Sequence, residues 1–243
     1  MGAARLAVAA LIAAGLAVAG CGSPAPTDPV APSPPASLSP AGSAPAPGDA
    51  PVPIEAVESG FTAFSTDGAD LASYGIVLHN PNVAWAAFRM EIRVDFFDAA
   101  DAFIAGEEVF VQLLPDQTSA IAGEAHGAGT ATRMEIGIPD DPTAFAPAEP
   151  SSETFELAEV ATTVRDGLVV TTGRLTSGFA TTERLVQVAA VHRDAGGTIL
   201  GGATGGIESI EPGATVPFEV IDGAPHAAIA ATDVYWQLSG IGR

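Results

Sequence analysis

The chain contains one cysteine, Cys21, and no lysine; all nine of its basic residues are arginine. A single cysteine excludes a disulfide framework and Cys-rich zinc or iron–sulfur sites. Without lysine there is no Walker-type phosphate loop and no Schiff-base chemistry. Histidine is scarce, with only His79, His126, His192 and His226, and none stands in an H-E-x-x-H or comparable metal spacing. There is no G-x-S-x-G elbow, so a hydrolase of that type lacks its strained nucleophile turn. A Ser-His-Asp arrangement assembled from distant loops stays open on sequence grounds. No cofactor or metal is expected.

Acid is abundant. Twenty-nine Asp and Glu against nine Arg give a net charge of -20, which repels phosphate backbones and anionic headgroups, so no nucleic acid partner is expected. The 47% hydrophobic content still suffices for one or two sizeable cores.

The N-terminus has the layout of an export signal: one positive charge at Arg5, an apolar run over residues 6–18 and a small-residue junction before Cys21. As a helix the run covers about 20 Å, short of the roughly 30 Å needed to span a bilayer. The junction Leu16-Ala17-Val18-Ala19-Gly20-Cys21 resembles a bacterial lipobox. That resemblance implies cleavage of residues 1–20 and diacylglyceryl modification of Cys21. The protein would then sit on the outer, extracytoplasmic face of the cell membrane, held by its acyl chains alone. The alternative is an ordinary secretory signal in which Cys21 lies near the cut by chance.

Residues 21–53 follow as a tether. Eleven of the twenty prolines lie in residues 22–53, which prevents hydrogen-bonded ladders and a buried core. The segment should reach about 30 Å as a coil and about 100 Å as polyproline II. Its use as a Pro-rich ligand is the weaker alternative, because no flanking basic residue sets an orientation.

Residues 54–243 read as β-structure. Phe88, Met90, Ile92, Val94 and Phe96 alternate with Arg89, Glu91, Arg93 and Asp95, the period of a strand with one buried face. Met134, Ile136 and Ile138 repeat the pattern, as do Val234, Trp236 and Leu238. An internal repeat aligns residues 94–106 (VDFFDAADAFIAG) with 190–202 (AVHRDAGGTILGG) at an offset of 96. Asp98 and Asp194 open the two turns, where their side chains can cap backbone N–H groups. Leu114-Pro115 then corresponds to Glu211-Pro212, and Pro212-Gly213 suits a type II turn. The closing strands correspond as residues 134–138 with 234–238. The fold expected is all-β: two tandem immunoglobulin-like β-sandwich modules, residues 54–148 and 149–243, meeting in the acidic, Pro-rich stretch 139–150.

The motif order resembles the FxLyD-type modules of prokaryotic envelope proteins. It is carried by His79-Asn80-Pro81-Asn82, Val94-Asp95-Phe96-Phe97-Asp98 and Phe103-Ile104-Ala105-Gly106 in the first copy. In the second it is carried by residues 194–201 and Pro212-Gly213, with Phe218 further on. The second copy departs from the pattern at His192-Arg193, where an aromatic pair belongs. The resemblance implies an envelope location and a sandwich fold, and no chemistry.

Remaining features have modest readings. Asp95, Asp98 and Asp101, with Asp140-Asp141, could hold calcium, but the spacing is not that of an EF-hand and solvated turns are the better reading. The glycine run 201–206 misses G-x-G-x-x-G and reads as a bulge or loop. Trp85 is either a binding anchor or packing at the sandwich end. The function expected is binding or scaffolding of an envelope protein or glycan, not catalysis. An extracytoplasmic hydrolase with a site between the two halves is the alternative, and no cleft with converging polar groups and a perturbed titratable residue is expected.

Overall fold

A computed structural model describes residues 50–66, 68–226 and 228–239. The signal segment, Cys21 and nearly all of the tether lie outside the described residues. Thirteen strands run in order: β1 (Glu55–Thr66), β2 (Ala69–His79), β3 (Trp85–Phe97), β4 (Phe103–Leu113), β5 (Thr118–His126), β6 (Arg133–Gly137), β7 (Phe145–Pro147), β8 (Phe155–Arg165), β9 (Leu168–Ser177), β10 (Glu183–Arg193), β11 (Ile199–Ile210), β12 (Thr215–Asp222) and β13 (Ala231–Leu238). A single 3-10 turn, Pro142–Ala144, is the one helical element among the described residues. The described part of the chain is therefore all-β.

The strands form four antiparallel sheets, ordered β1-β2-β5, β4-β3-β6 with β7 on β3, β12-β9-β8, and β11-β10-β13. The first two enclose a core in which Tyr74, Ile76 and Leu78 meet Met90, Ile92, Val94 and Phe96. The last two enclose a second, of Leu175, Val186, Val188, Ala190, Phe218 and Val220. Alternation sends every second residue of β2 and β10 the other way. There Val77, Ala120 and Ala122 meet Ala189, Val191 and Ile199, so the two inner sheets, β1-β2-β5 and β11-β10-β13, pack on each other. The order through the stack is β4-β3-β6, β1-β2-β5, β11-β10-β13, β12-β9-β8. The stretch 139–150 runs from the end of β6 toward β8 and belongs largely to the first half. Asp141 caps the 3-10 turn, and β7 adds to β3.

The repeat is visible in hydrogen bonds. Asp98 N–H bonds to Ala102 O and Asp101 N–H to Asp98 O; Asp194 and Thr198, and Gly197 and Asp194, do the same at an offset of 96. Both aspartates cap their turns: Asp98 Oδ1 accepts from Ala100 and Ala102 N–H, and Asp194 Oδ1 from Gly196 and Thr198 N–H. A β-bulge follows at matching places, with Ile104 and Leu200 the extra residues. At Pro212-Gly213, Ala214 N–H bonds to Glu211 O, 3.0 Å away, and Gly213 has φ +69, as a type II turn requires.

Two expectations need correcting. Phe88 is not part of the buried face. A bulge between Ala87 and Met90 puts Arg89 at φ +47 and turns Phe88 outward, while the other four alternating residues are buried. The closing strands correspond two residues earlier than their hydropathy suggests: Phe96 pairs with Met134, and its counterpart His192 with Thr232. The shift is even, so the buried faces still agree.

Close approach of the inner sheets depends on glycine. A Cβ on Gly60 would sit 2.1 Å from Ile199 O of the facing sheet, and one on Gly202 would sit 3.0 Å from Ala122 Cβ of the facing sheet and 2.1 Å from Ala190 O of its own. Gly202→Ala should therefore lower stability by about 1–3 kcal/mol, the usual cost of overpacking. Chemical denaturation checks this; an unchanged midpoint would mean that the inner sheets can move apart freely.

Candidate functional site

His192, one of the two residues where the second copy departs from the repeat, lies at the centre of a buried polar cluster. Asp222, the last residue of β12, directs its carboxylate inward at the level of His192 in β10. Its Oδ2 accepts from Ser73 Oγ at 3.0 Å and lies 2.8 Å from His226 Nε2 and 3.6 Å from His192 Nε2; its Oδ1 accepts from Ala224 N–H at 2.8 Å. Ser73 comes from β2, in the other half of the stack, and its Oγ also accepts from Gly202 N–H at 2.9 Å. His192 Nδ1 is 3.1 Å from Thr232 Oγ1, which accepts from Thr162 Oγ1 at 2.9 Å; Thr162 in turn is 3.0 Å from Thr171 Oγ1. Ser73, His192 and Asp222 are at most 1% exposed.

The strand registers give this cluster an internal control. The turns at Asn80 and Ser177 set β2 against β9 at an offset of 97. Following the pairings outward, Phe61, Tyr74, Phe96, Ala125 and Met134 in the first copy occupy the places of Thr162, Thr171, His192, Asp222 and Thr232 in the second. In the first copy these are core residues, with Phe61 edge-on to Phe96 at 5.6 Å and Tyr74 tilted against it at 6.0 Å. In the second all five are polar and joined to one another. Neutral apolar packing in one copy and a hydrogen-bonded network in the other, at one level of the same sandwich, is a concerted change. Scattered single substitutions would leave orphaned polar groups in an apolar core.

Beside the cluster runs a groove of about 440 Å³. One wall is Val160, Thr162, Thr163 and Val164 of β8; the other is residues 228–232, entering β13; His226 lines it as well. Asp222 holds His226 Nε2, which leaves Nδ1 as the other ring nitrogen, and that atom is buried without a partner among the described residues.

Burial drives the His192 imidazole down to about 4; neighbouring His226 acts in the same sense, and the Asp222 carboxylate opposes both. Ser73 does not form a nucleophile–base pair. Its hydroxyl is directed at a carboxylate and a backbone carbonyl rather than at an imidazole, and it is inaccessible to solvent. The cluster spans the sheet junction with hydrogen bonds from both halves.

The polar convergence around a perturbed histidine was not expected from the sequence; it is buried, and His192 does not line the groove. The signal was present in the broken repeat: His192 stands where an aromatic belongs, and the register of β12 sets Asp222 against Ala125 at an offset of 97. Other singled-out residues have local roles. Asp95 pairs with Arg93, Asp101 with Arg133, and Asp141 takes Thr143 N–H, bonds that hold its carboxyl below the usual range. His79 is 3.2 Å from Thr118 Oγ1 and His126 ends β5. Gly201 and Gly202 lie at the bulge under Ser73, so the glycine run serves sheet packing. Trp85 is half-buried and its carbonyl accepts from Asn80 Nδ2 at 2.8 Å. No family model matches the chain, and no curated protein matches it.

The depressed His192 pKa fixes a sign. Unfolded, His192 takes a proton near 6.5; folded, it resists until about 4. The unfolded state binds more protons between these values, so stability is full above about pH 6.5 and is lost as pH falls toward 4, by about 3 kcal/mol at most. Melting temperature measured from pH 7.5 to 4.5 should decline, and the decline should be shallower in His192→Phe, which installs the first copy's residue. An equal slope in both proteins would assign the pH dependence to other groups.

Proposed function

We propose that this chain is a lipid-anchored protein of the bacterial cell envelope, displayed on the extracytoplasmic face, whose two immunoglobulin-like, FxLyD-type sandwich modules bind or scaffold an envelope protein or glycan. The observation that carries the reading is Cys21. The only cysteine of 243 residues stands where a lipobox needs it, after an apolar run too short to span and before a Pro-rich tether. No helix among the described residues is long and apolar enough to cross a membrane. The paired turns, bulges and registers support treating the halves as copies of one module.

A binding role is supported by how the halves are joined. Besides the apolar contact of the inner sheets, Thr204 Oγ1 donates to Ala122 O at 2.7 Å, Thr62 Oγ1 to Leu200 O at 2.6 Å and Ser119 Oγ to Trp236 O at 2.8 Å. Arg193 bridges Asp233 beside it and Glu58 of β1. Such a junction presents its surfaces in a set geometry, which suits recognition more than interdomain closure.

Replacing Cys21 by Ser should abolish fatty-acid labelling and either release the protein or leave the signal uncleaved. Normal cleavage with unchanged membrane retention, read by mass spectrometry and detergent partitioning, would refute the anchor.

A further inference from the structure

Alternation along β3 and β4 gives their sheet an outward face on which Phe97, Asp95 and Arg93 stand opposite Phe103, Gly106 and Glu108. At the offset of 96, Phe103, Asp95 and Gly106 take the places of Ile199, Val191 and Gly202, which in the second copy lie against the first. Ile199 is 4% exposed there, whereas Phe103 is 56% exposed. The face that joins the halves in one copy is therefore open in the other, and its residues have changed character. Ala189, Val191 and Thr204 suit a dry contact between sheets. Arg93, Asp95 and Glu108 in their places would be stripped of water by a second sheet, so the same kind of docking is disfavoured.

The exchange leaves a groove of about 400 Å³ between these side chains. The tip of the Phe103 ring reaches over Gly106: its Cε2 and Cζ lie 3.3 Å, and Asp95 Oδ1 2.7 Å, from where a Cβ on that glycine would be. A side chain at position 106 would push both away, so the glycine sets ring and carboxylate side by side. Phe97 meets Phe103 edge-on at 6.0 Å and has the Arg133 guanidinium 4.0 Å from its own centroid, which holds the exposed ring in place. Asp95 Oδ1 accepts from Arg93 Nε and Nη2 at 3.3 and 3.2 Å, and Oδ2 has no donor among the described residues. Six residues of β3 further on, about 20 Å away, a second exposed ring, Phe110, stands opposite Glu91 on the same face.

These features select the chemistry of the ligand. An exposed ring already held by its neighbours offers apolar surface at little further entropic cost, which suits a ligand with a C–H face. Beside it, a guanidinium and a carboxylate display donors and acceptors together, as hydroxyl groups require, because each hydroxyl both gives and takes a hydrogen bond. An ammonium ion only donates and would face Arg93; a phosphate only accepts and would face Asp95, Glu107 and Glu108. We propose that this groove binds an uncharged oligosaccharide, with one sugar ring stacked on Phe103, its hydroxyls on Asp95 and Arg93, and the chain running along β4 toward Phe110. The proposal rests on the binding reading above and selects a glycan as its partner; it does not depend on lipidation.

The test is calorimetric titration of the full-length protein, in micelles of a detergent without a sugar headgroup, with linear hexasaccharides of glucose, mannose and N-acetylglucosamine. At least one should bind, and Phe103→Ala should weaken it about tenfold or more, as loss of a contact anchor does. Gly106→Val, which fills the floor of the groove, should do the same. Both positions are exposed, so these variants should keep the wild-type melting temperature. Phe110→Ala should weaken the hexasaccharide and leave the disaccharide of the same sugar unchanged, and Leu168→Ala, exposed on a different sheet, should bind as the wild type does. Binding of none of the three sugars, equal binding by Phe103→Ala, or binding that falls steeply with added salt, the mark of a charged ligand, overturns the proposal. If Phe103→Ala or Gly106→Val does not fold, the salt series on the unsubstituted protein and the Phe110→Ala comparison decide. Should no sugar bind while cross-linking on intact cells yields an envelope protein, the binding reading stands and this proposal falls, so the two fail separately.

Discussion

Backbone approach between β2 and β11 sets the geometry around it. The inner sheets can come together only where side chains are absent or small. At that place Gly201 and Gly202 face Ser73, whose hydroxyl accepts from one backbone N–H and reaches the carboxylate of Asp222. A Cβ at Gly201 would fall 2.3 Å from that hydroxyl. The contact aligns two sandwiches, and it also delivers a group from one half into the polar cluster of the other. Removing one member of such a cluster typically costs 3–5 kcal/mol, about as much as deleting a core aromatic, because the partners are left buried and unpaired.

The matching turns and registers of the two halves show how a polar cluster can occupy a core position without collapse of the sheets. The backbone scaffold of turn, bulge and closing strand is common to both copies, so the second could change the contents of one level while hairpin capping and sheet registers stayed in place. Phe61, Tyr74 and Phe96 stabilise the first copy by burial and ring contacts. Thr162, Thr171 and His192 stabilise the same level of the second by mutual hydrogen bonds, and they leave unfilled volume at the edge. A gain in chemical character is thus coupled to an opening between strands.

Much of the fold was legible from residues. Alternation marked β3, β6 and β13, and the Asp-led turns and Pro-Gly marked the hairpins, because strand period and turn chemistry are local properties. Bulges were not legible. The one at Phe88-Arg89 reverses the facing of a large apolar residue, and its cause is the pairing of β3 with both β4 and β7. The offset of the closing strands was likewise set by hydrogen-bond register and missed by hydropathy.

By itself the sequence determined that the folded part would be built of β-strands in two related halves, where the turns fall, and that Cys21 stands in a lipobox-like junction. Each follows from neighbours within a few residues or from repetition along the chain. Tertiary structure alone decided that the inner sheets stack face to face and that Ser73, His192, Asp222 and His226 converge. These residues lie as many as 153 positions apart in the sequence, from Ser73 to His226. Their meeting depends on which faces of four sheets are buried against one another, a choice made by packing.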